Sequence, residues 1–215
     1  MFYYICKVLV SIFLFLTGGI DVHGKDKIPR KGPYIIVANH QSLIDPMVLM
    51  ACFPVRIFFL AAAYLFRIPV VGQIIALTGA MPIKSQKGDF KSLKRCRRLL
   101  ENGKIIGIFP EGGVSKSGKI KPFMPGWSYL ALKSKVPVLP VFIHKTRDVL
   151  PVGSYIPRRC RIEVYIGDII SLSRNEIIKK EQLAEATRLL NLEFEKMSKM
   201  VKNSDKSKLN NEIRD

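Results

Sequence analysis

A histidine and an aspartate five positions apart, in Asn39-His40-Gln41-Ser42-Leu43-Ile44-Asp45, are the side chains of this sequence best suited to moving a proton. A neutral imidazole can take the proton of a hydroxyl nucleophile, while a carboxylate on its other nitrogen fixes the tautomer and stabilises the imidazolium that forms. On a continuous helix a five-residue offset turns about 140 degrees around the axis, so the two can meet only across a turn. Asp45-Pro46 suits that turn, because Asp is a favoured N-cap and Pro a favoured first helical residue, and a helix over 46–53 is expected. Taken singly, Asp45 could only cap that helix and His40 could be a hydrogen-bonded residue at a strand end.

A second segment favours the catalytic reading. Phe109-Pro110-Glu111-Gly112-Gly113 is followed by Ser115-Lys116-Ser117-Gly118-Lys119. The N–H groups of a glycine-rich turn can face an anion, and adjacent lysines add charge. Glu111 suits an anion poorly, so it is assigned a positioning role or a hydrogen bond to a substrate hydroxyl; the bland alternative for the whole segment is an ordinary loop. No serine lies in a Gly-x-Ser-x-Gly elbow, which favours direct attack by a bound hydroxyl over an acyl-enzyme.

The elements that must hold these residues are short apolar runs alternating with helical stretches. Runs at 34–38, 56–60, 79–83, 105–109, 138–143 and 161–166 have strand length, and their continuous apolar character implies burial on both faces. The pattern predicts one α/β domain with a mixed, largely parallel sheet covered by helices. His40 and Glu111 each follow such a run, where loops at strand ends carry chemistry. Phe90, Leu93, Cys96 and Leu100 recur at helical spacing with Lys91, Lys94, Arg95 and Arg98 between them, a basic face open either to solvent or to lipid headgroups. Ser173-Arg174-Asn175-Glu176 has capping-box spacing ahead of an amphipathic helix running to Met197. Beyond it the Lys-, Asn- and Ser-rich end, 198–215, has too little apolar surface to order itself.

At the other end, 2–20 are almost wholly apolar apart from Lys7, with Lys25, Lys27, Arg30 and Lys31 following. The start lacks the positive charge of a secretory signal. A membrane-contacting helix within 1–24 is expected, either crossing or lying in the interface, with a catalytic domain over 25–197. If it crosses, the basic flank places that domain on the cytoplasmic side. The formal charge of +18 favours anionic partners. Aromatic residues do not interleave with a basic strand, which argues against nucleic acid. The four cysteines show no metal-ligand or disulfide-framework spacing and are expected as buried thiols, and no metal site is expected.

With these residues in hand, the chain resembles the glycerolipid acyltransferase family typified by 1-acylglycerol-3-phosphate acyltransferase. His40 to Asp45 matches the family's His-x4-Asp block; Gly79-Ala80-Met81-Pro82-Ile83, Phe109-Pro110-Glu111-Gly112 and Val136-Pro137-Val138-Leu139-Pro140-Val141 match the next three, in order. The likeness runs from about Val22 to Asp168. It implies transfer of a fatty acyl group from acyl-coenzyme A or acyl carrier protein, as substrate rather than bound cofactor, to a lysophospholipid hydroxyl. Catalysis is expected of His40 and Asp45, and substrate binding of Ser42, Lys84, Glu111, Gly112, Gly113 and Lys116. Departures lie at basic positions associated in the family with the acceptor's phosphate: Ala62 replaces a lysine, Lys84-Ser85 an acidic residue and arginine, and Gly113-Val114 a Thr-Arg pair. Lys84, Lys87 and Lys116 are the expected replacements, as point charges without arginine's fork.

Overall fold

A computed structural model describes residues 2–69, 71–83, 90–172 and 178–212. Seven strands form one sheet: β1 (Ile20–His23), β2 (Ile35–Ala38), β3 (Ile57–Ala62), β4 (Met81–Ile83), β5 (Ile105–Ile108), β6 (Val138–His144) and β7 (Ile162–Ile166). Their order is β1-β7-β6-β2-β5-β3-β4. β6 and β7 pair antiparallel and every other pairing is parallel, so the sheet is mixed and mostly parallel, as expected.

Six of the strands arise from the apolar runs. The chain entering and forming β2 alternates between two cores: Tyr34, just before the strand, faces one side with Ile36 and Ala38, and Ile35 and Val37 face the other. On the first side lie α1 (Phe2–Leu16) and α2 (Asp45–Cys52), which contribute Leu14, Val48 and Leu49. On the second lie α4 (Phe90–Glu101), α5 (Gly126–Ser134) and α7 (Lys180–Glu212), which contribute Cys96, Leu100, Trp127, Leu130, Leu190 and Phe194. Two further helices, α3 (Val71–Thr78) and the single-turn α6 (Thr146–Val149), connect strands. Each fully buried Leu, Ile or Phe here is worth roughly 1.5–3 kcal/mol, which is why a double-sided sheet needs continuous apolar strands.

Three expectations change. The apolar start does not form a unit apart from the sheet: α1 stops at Leu16, and after Gly18-Gly19 the chain becomes β1, which pairs with β7 from Ile20↔Ile162 to His23↔Tyr165. Gly18 has φ +123°, and a Cβ there would lie 2.6 Å from the Cys160 carbonyl oxygen, so the approach of the two chains needs glycine. α1 is stitched to the body: Tyr3 Oη accepts from Ile57 N at 3.2 Å, and Lys7 Nζ donates to the Phe53 carbonyl. At the other end, the helix expected to fray after Met197 continues to Glu212, because Val201 is buried and Asp205 bonds Lys145 Nζ at 2.9 Å. The capping-box residues 173–176 lie outside the described residues. Finally, α2 begins at Asp45 with Ile44 as its N-cap, so Asp45 does not cap the helix. All four cysteines are free thiols; Cys96 is buried and the others are half-buried.

Candidate active site

The site lies where the central parallel strands end. β2 and β5 pair with Val37 opposite Ile108. Continued three residues, that register sets His40 beside Glu111, and His40 N donates to Glu111 Oε1 at 2.8 Å. Crevices outside the carboxyl ends of parallel strands are the usual place for ligands in such sheets. Asn39, immediately before, clamps β2 to β6: its Nδ2 donates to the Ile143 carbonyl at 2.9 Å and its Oδ1 accepts from Ile143 N at 2.7 Å. The histidine therefore leaves a strand end fixed on both sides.

The turn required by the spacing is present. Asp45 Oδ2 lies 2.8 Å from His40 Nδ1 and accepts from Gln41 N at 2.6 Å and Ser42 N at 2.8 Å. Asp45 is fully buried, and its Oδ1 has no hydrogen-bond partner among the described residues. A carboxylate facing Nδ1 requires the proton there, which leaves Nε2 as the basic nitrogen. The imidazole stacks on Phe109 at 4.2 Å between centroids and 21°, and its side chain stays 14% exposed. It is thus oriented on one nitrogen and open on the other.

Glu111 is buried, and both its oxygens are engaged: Oε1 with His40 N, Oε2 with Lys121 N at 2.9 Å. Burial pushes its carboxyl above the usual range, against the pull of those two N–H groups and of nearby His40 and Lys121. Gly112 has φ +69°, the left-handed conformation that lets the chain reverse after Glu111. The following loop is tied to the histidine segment twice: Ser115 N donates to the His40 carbonyl at 2.8 Å, and Gln41 Nε2 to the Gly118 carbonyl at 3.0 Å.

Of the residues singled out in the sequence, His40, Asp45, Glu111, Gly112 and Gly113 come together. Lys116 is exposed on the same loop. Lys84 and Lys87 lie outside the described residues. Ser42 is a correction: it is completely buried and its hydroxyl donates to the Leu150 carbonyl at 2.8 Å, so it braces the loop against the turn after α6 rather than facing a ligand. Two cations went unnoticed in the sequence. Lys121 Nζ donates to the Gly113 and Val114 carbonyls at 3.3 and 3.0 Å, placing an ammonium beside the turn where Val114 brings none. Arg147 reaches over the loop, with Nη1 2.5 Å from where a Gly118 Cβ would be. Neither position is adjacent in sequence to the turn it serves, and no spacing rule would have found it.

Residues 19–144 match the family model for Acyltransferase. The chain is 32% identical over 155 residues to the chloroplastic 1-acyl-sn-glycerol-3-phosphate acyltransferase of Brassica napus, covering 71% of this chain and 45% of that protein. It is 25% identical over 191 residues to the 1-acyl-sn-glycerol-3-phosphate acyltransferase of Bacillus subtilis, covering 88% and 93%. The matched region spans about half the length of the chloroplastic relatives. The crystal structure of the 1-acyl-sn-glycerophosphate acyltransferase PlsC from Thermotoga maritima superposes with a TM-score of 0.72 at 26% identity, over 87% of this chain and 76% of that one. With a match running from the start of the sheet through the His40 and Glu111 loops, this chain belongs to the acyltransferase family.

Proposed function

We propose that this chain is a membrane-docked O-acyltransferase that moves a fatty acyl group from acyl-coenzyme A or acyl carrier protein to the free hydroxyl of a lysophospholipid, 1-acylglycerol-3-phosphate first, giving phosphatidic acid. The observation that carries this reading is His40, held at Nδ1 by Asp45 and exposed at its other edge beside a cation-rimmed glycine turn. Nε2 takes the acceptor's hydroxyl proton as that oxygen attacks the thioester carbonyl. The C–S bond then breaks, and the proton passes from the imidazolium to the departing thiolate. Asp45 stabilises the imidazolium between the two steps. Glu111 acts by holding His40's backbone and the turn. Lys121 beside the turn, with Arg147 and Lys116 on the loop that follows it, suit a phosphate as point charges or, for Arg147, a fork.

Membrane docking rests on α1 and α3. Val8, Leu9, Ile12, Phe15 and Leu16 of α1 are exposed, as are Val71, Ile74 and Leu77 of α3, which packs beside it. Large exposed apolar patches mark interaction surfaces. The 15 residues of α1 extend about 22 Å against a hydrocarbon core of about 30 Å, and no helix of the described residues is long and apolar enough to cross. An interfacial helix, apolar side down, fits both facts. Lys7 and the basic segment at Lys25 and Lys27 add attraction to anionic lipid.

Ala62 and Val114, where the resemblance leads one to expect cations, favour a second acceptor: a lysolipid with a larger headgroup or an amino-acid lipid. A matrix of acyl-coenzyme A and acyl-loaded acyl carrier protein against lysophosphatidate, lysophosphatidylcholine and an N-(3-hydroxyacyl) amino acid, whose free hydroxyl can accept the acyl group, tests both. Transfer fastest to lysophosphatidate supports the leading reading; transfer to another acceptor alone supports the second; binding without turnover on any acceptor overturns both in favour of an inactive lipid-binding protein.

A further inference from the structure

α4 presents Lys91, Lys94, Arg95 and Arg98 on one exposed face, while Cys96 and Leu100 on its other face are buried in the core. These four stand three or four residues apart, so each has like charges as its neighbours, an arrangement that destabilises an isolated helix. A face kept only for solubility would mix signs. Arg97, off this stripe, pairs with Glu101 at 2.7 Å, whereas none of Lys94, Arg95 and Arg98 forms an ion pair with a described residue. Among the described residues, no acidic side chain answers Lys94, Arg95 or Arg98.

Its position narrows what could. α4 packs over β4 and β5 on the side of the sheet opposite α1. Its first turn adjoins the end of β4, where Ser92 Oγ donates to the Pro82 carbonyl at 3.0 Å, and β5 leads directly into Glu111. The stripe therefore starts at the catalytic edge and runs back along the face that a bilayer meeting α1 and α3 would leave in water. Lipid headgroups are on the wrong side; a soluble anionic partner is not.

We propose that the outward face of α4 docks an acidic protein that carries the acyl group as a thioester on a long flexible arm, so that the arm can enter at the edge where His40 lies. This rests on the acyl-transfer reading above and settles on one of its two donors. Charge complementarity of this kind acts chiefly on encounter and register and weakens with salt.

The test is the variant Lys94→Glu/Arg95→Glu/Arg98→Glu in the full chain, with palmitoyl-acyl carrier protein and palmitoyl-coenzyme A as donors to the same acceptor. At low ionic strength KM for the carrier-bound donor should rise about tenfold or more while the coenzyme A donor changes less than about twofold, with sedimentation on anionic vesicles unchanged. An equal loss with both donors, an unchanged KM for the carrier-bound donor, or a wild-type chain that refuses that donor while using coenzyme A would overturn the proposal. So would a loss confined to vesicle binding, which would assign the stripe to lipid. If the wild-type chain transfers from neither donor, the acyl-transfer reading itself falls. Docking is then decided by fluorescence anisotropy of labelled acyl carrier protein: weaker binding to the variant supports it and equal binding overturns it.

Discussion

Asp45 Oδ2 stands 2.8 Å from His40 Nδ1 and is held there by the N–H groups of Gln41 and Ser42, at 2.6 and 2.8 Å. The carboxylate cannot turn from the imidazole without leaving two buried backbone donors bare. One oxygen thus orients the imidazole and closes the loop that carries it.

Asp45→Asn should separate these duties. The amide oxygen can still accept from the loop, but it no longer stabilises an imidazolium, and the wrong histidine tautomer becomes accessible. By analogy with the same change in a hydrolase triad, kcat should fall by about 10³–10⁴ with KM nearly unchanged. A comparable loss appearing in KM would place Asp45 in binding instead.

Glu111→Ala removes the acceptor shared by His40 N and Lys121 N. Both bonds are partly buried, so leaving the two donors without this acceptor costs less than the roughly 1–3 kcal/mol of a fully buried group, and both the melting temperature and kcat should drop. A variant with wild-type kcat would show that the His40 backbone keeps its place without Glu111.

Asp168 bonds Lys196 on α7 and Lys27, which hold its carboxyl down at about 2. A depressed carboxyl contributes stability above its unfolded pKa, near 4, and loses it as pH falls through the folded value. Asp168→Asn should therefore lower the melting temperature at pH 6 and cease to matter near pH 2. Because the group is half-exposed, the difference should be small and shrink with salt. Equal effects at both pH values would assign the loss to something other than these ion pairs.

Leu9→Glu with Phe15→Glu places two charges on the exposed face of α1. Neither side chain is buried, so thermal stability should hold while sedimentation with anionic vesicles falls. Undiminished vesicle binding would move the membrane surface elsewhere.

Much of the site is readable along the chain because it is local. His40 and Asp45 lie in one turn, and the register of two buried strands brings Glu111 to the histidine. What stays hidden is set by distant contacts. β1 is four residues at an edge, too short and too half-buried to stand out from the apolar helix before it. Lys121 reaches Val114 only because the loop doubles back through Ser115 and Lys119. The end of α7 is poor in apolar residues, and it is held by Val201 and by Asp205 on Lys145, neither of which local composition weighs. Ser42, polar and next to His40 and Asp45, has the sequence signature of a ligand and the surroundings of a brace.

His40 as the base of acyl transfer is open to direct measurement. The measurement is release of free thiol from palmitoyl-coenzyme A or palmitoyl-acyl carrier protein with lysophosphatidate as acceptor, for the wild-type chain and for His40→Ala. Loss of the general base alone removes about 10²–10⁴ in rate. Acceptor-dependent thiol release and phosphatidic acid are expected from the wild type, and neither above background from a folded His40→Ala. A His40→Ala chain that melts like the wild type and keeps its rate would contradict the role of His40 as base.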